Sequence, residues 1–152
     1  MSDNEVKIIN HSITRLLARR EHSQHELVNK LKMKGFDETS IRRQLTLFVE
    51  KDIQSDSRFV ESFIRSKIAK GQGKTKIELT LGQHNIDNMT IELGFANCES
   101  DFNQIALQVY RKKYRDNPIT DWSEKQKRMR FMQYRGFTTE QIKYVFRQID
   151  KH

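Results

Sequence analysis

Apolar residues recur along this chain one helical turn apart, and the pattern returns. Leu27 and Leu31 are four residues apart, and Ile77 and Leu81 repeat that spacing fifty residues later. Ile41 and Leu45 are matched by Ile91 and Phe95, then by Ile142 and Phe146. A spacing of four places both side chains on one helix face, so each pair predicts an amphipathic helix. Another pair precedes each set: Ile9 and Ile13, Phe59 and Phe63, Tyr110 and Tyr114. In the third copy Met132 stands in the place of Leu31, but Arg128 falls where Leu27 would, leaving that helix less cleanly apolar.

Between the second and third helix of each set lies the same short turn. It reads KGFDETSI at 34–41, HNIDNMTI at 84–91 and RGFTTEQI at 135–142. Gly35, Asn85 and Gly136 suit the left-handed residue that closes a helix. Asp37, Asp87 and Thr138 offer the side-chain oxygen that opens the next one. Between them Phe36, Ile86 and Phe137 supply an apolar plug. Thr138 with Gln141, Ser23 with Glu26 and Ser123 with Gln126 have the spacing of capping boxes, while Gly71 and Gly73 mark the first junction of the second set. The expectation is an all-α protein of three tandem three-helix, helix-turn-helix-like repeats, at 1–53, 54–102 and 103–152. A fifty-residue unit is marginal alone and gains from stacking on neighbours, so an elongated body of roughly 60 Å is expected from helices of about 20 Å.

Composition fits helices: one Pro and six Gly in 152 residues leave little for turn-rich β structure. No amino-terminal stretch has the charge and apolar core of a signal peptide, and no run is long enough to span a membrane. Cys98 has no partner for an internal disulfide, in keeping with a reducing cytoplasm. The net charge of +8 is uneven. The first repeat carries 10 Lys/Arg against 8 Asp/Glu and the second 6 against 7, whereas the third carries 12 against 5. Such an excess suits a polyanion partner, although solvated helix faces are also rich in Lys and Arg.

The candidates for that contact are Lys125, Lys127, Arg128, Arg130 and Arg135, with Arg58, Lys70, Lys74 and Lys76 as a second group. Positions 127, 128, 130 and 135 cannot share one helix face, so they predict a broad patch. Trp122 is a candidate partner anchor, although packing between repeats is the more ordinary role for a tryptophan. GQGKTK at 71–76 lacks the spacing of a phosphate-binding loop and follows no strand, which leaves it a helix junction. His22 and His25 are expected at the surface, with no third ligand for a metal. No catalytic constellation, metal or cofactor site stands out.

Ser55–Ile86 resembles the central motif of the RecX family, bacterial regulators of the RecA recombinase. The matching residues are Asp56, Arg58, Phe59, Phe63, Lys70, Gly71, Gly73, Lys76, Ile77, Leu81 and Ile86. SQHELVNKLKMKGF and KQKRMRFMQYRGF resemble the family's first and third repeats, so the likeness covers nearly the whole chain. Lys74 stands where the family often has Pro, and the usual Glu-Leu pair beyond it is displaced. The resemblance implies three tandem three-helix repeats in a cytoplasmic, monomeric protein that is not an enzyme. It also implies binding to the RecA filament and, weakly and without sequence preference, to single- and double-stranded DNA. Filament growth, ATP hydrolysis, strand exchange and coprotease activity would be restrained. The alternative from the helix-turn-helix pattern is a protein that reads duplex sequence, but the three candidate recognition stretches differ greatly and the second is net acidic.

Overall fold

The computed structural model describes residues 2–151, and among them it contains nine α-helices and no strand. They fall in the expected threes. The first set is α1 (Asp3–Arg19), α2 (Gln24–Met33) and α3 (Glu38–Glu50); the second is α4 (Asp56–Ala69), α5 (Lys74–Gly82) and α6 (Asn88–Cys98). The third is α7 (Phe102–Tyr114), α8 (Trp122–Tyr134) and α9 (Thr139–Asp150).

The repeated turn has the chemistry its sequence demands. Gly35, Asn85 and Gly136 all have positive φ, at 94°, 55° and 99°. Asp37, Asp87 and Thr138 accept the backbone N–H three residues on, capping α3, α6 and α9. Capping boxes close at Ser23–Glu26 and Thr138–Gln141. The third junction differs from expectation. Asp121, not Ser123, caps α8 by accepting from the Glu124 N–H at 2.8 Å, which makes Trp122 the first residue of the helix.

Chain contacts divide the protein into two compact units, one running to Ser62 and including Gly82–Gly94, the other comprising Phe63–Leu81 and the chain from Phe95 onward. The division passes through α4 and α6. The first unit buries Ile9, Ile13, Leu27, Leu31, Ile41 and Leu45, the residues singled out by periodicity, together with Val28. The second buries Tyr110, Met132, Phe137, Ile142 and Phe146 with Ala106, Leu107 and Val145.

Polar groups fix the α1–α2 junction of the first unit. Asp56 accepts from the Gln24 N–H at 3.0 Å and from Gln54 Nε2 at 2.9 Å, and the same Gln54 amide donates to the His22 carbonyl. His22 is buried, contrary to its expected surface position. Its Nδ1–H donates to the Arg20 carbonyl at 3.1 Å and its Nε2 accepts from Lys30 at 3.2 Å, an arrangement only the neutral ring can make. The Ser23 hydroxyl accepts from the Glu26 N–H and is hydrogen-bonded to His84 Nδ1 at 3.1 Å.

Burial is the main cause that pushes both His22 and His84 below the ordinary value of 6.5. The folded state then holds fewer protons than the unfolded chain just below that value, so stability rises with pH there. Thermal stability is expected to be full above about pH 6.5 and to decline as pH falls below it. His22→Gln should flatten the decline; an unchanged melting temperature between about pH 7.5 and pH 5.5 in the wild type would contradict it. Glu26 acts in a separate, lower window. Burial pushes its carboxyl up, but hydrogen bonds from Arg20 and the Ser23 N–H hold it below its usual 4.5.

Candidate nucleic-acid interface

Arg58 is committed within the first unit. Its Nε donates to Glu21 at 3.2 Å, its Nη1 meets Asp52 at 3.1 Å, and its Nη2 donates to the carbonyls of Asp52 and Ile53. With Asp56 it ties the start of α4 to the α1–α2 and α3–α4 junctions, which accounts physically for that Asp-x-Arg-Phe stretch.

Arg128 leaves the candidate list for a different reason: it is buried, with 3% of its surface exposed. Its Nη1 donates to the Tyr110 hydroxyl at 2.7 Å and the Asn117 carbonyl at 2.9 Å, its Nη2 to the Pro118 carbonyl, and its Nε to Glu124. The guanidinium also lies 4.5 Å from the Tyr114 ring centre. Burial works against its charge, yet these bonds keep the group protonated. It is a strut of the second unit and presents nothing to a polyanion.

The remaining candidates lie in the second unit and fall into separate groups. Lys127 and Arg130 are exposed on α8. Tyr134, 76% exposed, follows them at helical spacing, with Lys76 Nζ 4.4 Å above its ring. Lys74 lies 3.7 Å from Glu78 and over the Phe95 ring. Lys125 turns the other way, its Nζ 5.3 Å from the Phe146 ring centre. Trp122 is 68% exposed, so the expectation of a packed tryptophan is overturned.

Arg135 and Lys70 meet at a cleft. Arg135 Nη1 donates to the Lys70 carbonyl at 3.1 Å just past the end of α4, where a cation is favourable. The cleft, about 630 Å³, has Ile68, Ala69, Ile105, Val109 and Phe131 for walls and Lys70, Lys112, Lys113 and Arg135 as its charges. No carboxylate lines it. Lys113 Nζ and the Arg135 guanidinium lie 5.0 and 5.2 Å from the Phe131 ring centre. Cations around an aromatic ring are the elements of a site for single-stranded nucleic acid, where bases stack and phosphates pair. Lys112, Lys113, Phe131 and Tyr134 were absent from the sequence candidates. For the two lysines the signal lay in RKKYR at 111–115, which resembles the cations that commonly close a helix.

The Gly71–Gly73 segment builds one end of this cleft. The Gly73 N–H donates to the Arg135 carbonyl at 2.7 Å and the Thr75 N–H to the Gly136 carbonyl at 3.1 Å. A Cβ on Gly73 would stand 2.4 Å from the Gly136 carbonyl atoms. Two backbones therefore touch here, and the amides that a phosphate loop would present are already bonded to carbonyls. The expectation of a helix junction agrees with this geometry.

Comparison with known proteins places the architecture. Family profiles described as the first, second and third three-helix domains of RecX match residues 13–45, 55–93 and 99–146, in that order. The chain is 38% identical over 138 residues to the regulatory protein RecX of Legionella pneumophila (strain Corby), spanning 91% of this chain and 92% of that one. The chain belongs to the RecX family. A RecX relative from Vibrio campbellii is 32% identical over 130 residues, covering 86% of this chain and 84% of the relative. The crystal structure of RecX from Lactobacillus salivarius shares the fold, with a TM-score of 0.83 over 99% of this chain and 100% of that one, at 16% identity. The role that goes with the RecX family is regulatory, and the all-α, three-repeat fold expected from the sequence is the family's fold. Among the described residues no helix is long and apolar enough to cross a membrane.

Proposed function

We propose that this protein binds the RecA recombinase on DNA and restrains the filament, lowering growth, ATP hydrolysis, strand exchange and coprotease activity. Family membership supports the regulatory part of this reading. The observation that carries the nucleic-acid part is the carboxylate-free cleft, with Lys70, Lys112, Lys113 and Arg135 around Phe131. In this reading the protein works by contact and not by turnover, as a cytoplasmic monomer. DNA binding is weak and indifferent to sequence because the cleft offers phosphate partners and a ring, with no set of base-reading side chains.

The direct test adds the protein to preformed RecA filaments and follows ATP hydrolysis together with filament length. Both should fall; no change in either at saturating protein would remove the proposal. A second measurement addresses the cleft. Lys112→Glu with Lys113→Glu should weaken oligonucleotide binding and reduce the slope of log affinity against log salt by roughly one per lysine. Arg58→Gln serves as the control and should leave that slope unchanged. Two oligonucleotides of unrelated sequence should bind alike, whereas strong discrimination would favour a reader of duplex sequence.

A further inference from the structure

The groove between α8 and α9 takes no part in the cleft. Trp122 and Met129 on α8 face Ile142 and Phe146 on α9 across a space of about 340 Å³. An exposed tryptophan leading into an apolar groove is a feature of protein contact surfaces. Trp122 and Met129 stand two helical turns apart, a register that accepts anchors spaced i, i+3/i+4 and i+7 on a docked helix. The rim carries Lys125, Lys143 and Arg147 against the carboxylate of Asp150, and Glu140 beside it lies 3.8 Å from Lys143. Lys125 lies 6.0 Å from the Trp122 ring centre and 5.3 Å from that of Phe146, so its ammonium sits over the apolar floor. A carboxylate arriving at the rim would draw that ammonium aside and open the floor to an apolar side chain.

We propose that this groove docks an amphipathic helix of a partner protein, with acidic residues flanking the helix's apolar stripe and Trp122 as its anchor. Apolar matching supplies the seat, and the excess of rim cations selects the charge of the occupant. The proposal stands apart from filament regulation, because its test contains neither recombinase nor DNA.

Trp122 is the only tryptophan in the chain, so its fluorescence reports this groove alone. The full-length protein is titrated with a synthetic helical peptide of about 14 residues, roughly 20 Å long, bearing a leucine stripe flanked by glutamates. A saturable blue shift is expected, with affinity falling about tenfold in Lys143→Glu/Arg147→Glu and falling again as salt rises. Both substitutions lie at exposed positions, away from the buried core. The proposal is overturned by no saturable shift or by an equal response to a lysine-flanked peptide. A shift driven by protein concentration alone would place a second copy of the chain in the groove and also overturn it. So would a response to single-stranded oligonucleotide without one to the peptide.

Discussion

Arg128→Ala is expected to destabilise the second unit by about 3 kcal/mol, the lower part of the range for breaking a buried, hydrogen-bonded ion pair. The lower part applies because Glu124, the anionic partner, keeps 30% of its side chain exposed and can rehydrate. The buried Tyr110 hydroxyl has less relief, since losing Arg128 removes its donor, whereas the carbonyls of Asn117 and Pro118 belong to exposed residues. A fall in melting temperature of about 6–12 °C follows for a chain of this size. Arg128→Lys should recover only part of it, because an ammonium cannot span the same fork of acceptors. Oligonucleotide affinity per folded molecule should stay unchanged. A variant with wild-type stability and lost DNA binding would return Arg128 to the surface and refute its role as a strut.

This residue also shows where sequence reading stops. The position matched Leu27 of the first repeat, and periodicity alone marked it as inward-facing. Residue type pointed outward, because an arginine on a helix is ordinarily solvated. Arg128 can go inward because Glu124 one turn back on α8 is joined by acceptors from α7 and from a loop ten residues upstream, and no local pattern reveals those last two. His22 is the same case, with Arg20, Lys30 and the Gln54 amide meeting at one junction. The three turns were legible for the opposite reason. A left-handed residue, a plug and a cap interact within a few positions, so local chemistry decides them.

Trp122 and the cleft occupy the ground between these cases. The spacing of Ser123 and Gln126 points to Ser123 as the cap of α8 and passes over Asp121, which has Glu124 at the same distance. Asp121 wins, and Trp122 becomes an exposed first-turn residue at the mouth of a groove. The cleft needed the end of α4 brought beside α7 and α8. Its members are far apart in sequence, and Lys112 and Lys113 looked like ordinary last-turn cations.

Gly136→Ala is expected to be the most damaging single-methyl change in the turns, and Gly35→Ala provides its control. Both glycines have φ near the same value, 94° at Gly35 and 99° at Gly136, so both substitutions carry the left-handed cost of about 1–2 kcal/mol. Around Gly35 a new Cβ would meet nothing within 4 Å. At Gly136 it would stand 2.5 Å from Lys76 Cβ and 2.8 Å from the Lys76 nitrogen. Neither atom belongs to the flexible end of a side chain, so the segment from Gly73 to Lys76 must retreat, adding about 1–3 kcal/mol. The retreat breaks the bonds from Gly73 and Thr75 to the carbonyls of Arg135 and Gly136. Lys70 and Arg135 then lose their fixed spacing at the cleft. Gly136→Ala should therefore melt lower than Gly35→Ala and bind oligonucleotide more weakly even where it remains folded. Gly73→Ala should behave as Gly136→Ala does, since its Cβ meets the same contact from the other side. Equal melting temperatures for Gly35→Ala and Gly136→Ala would mean that this backbone contact contributes nothing to the second unit.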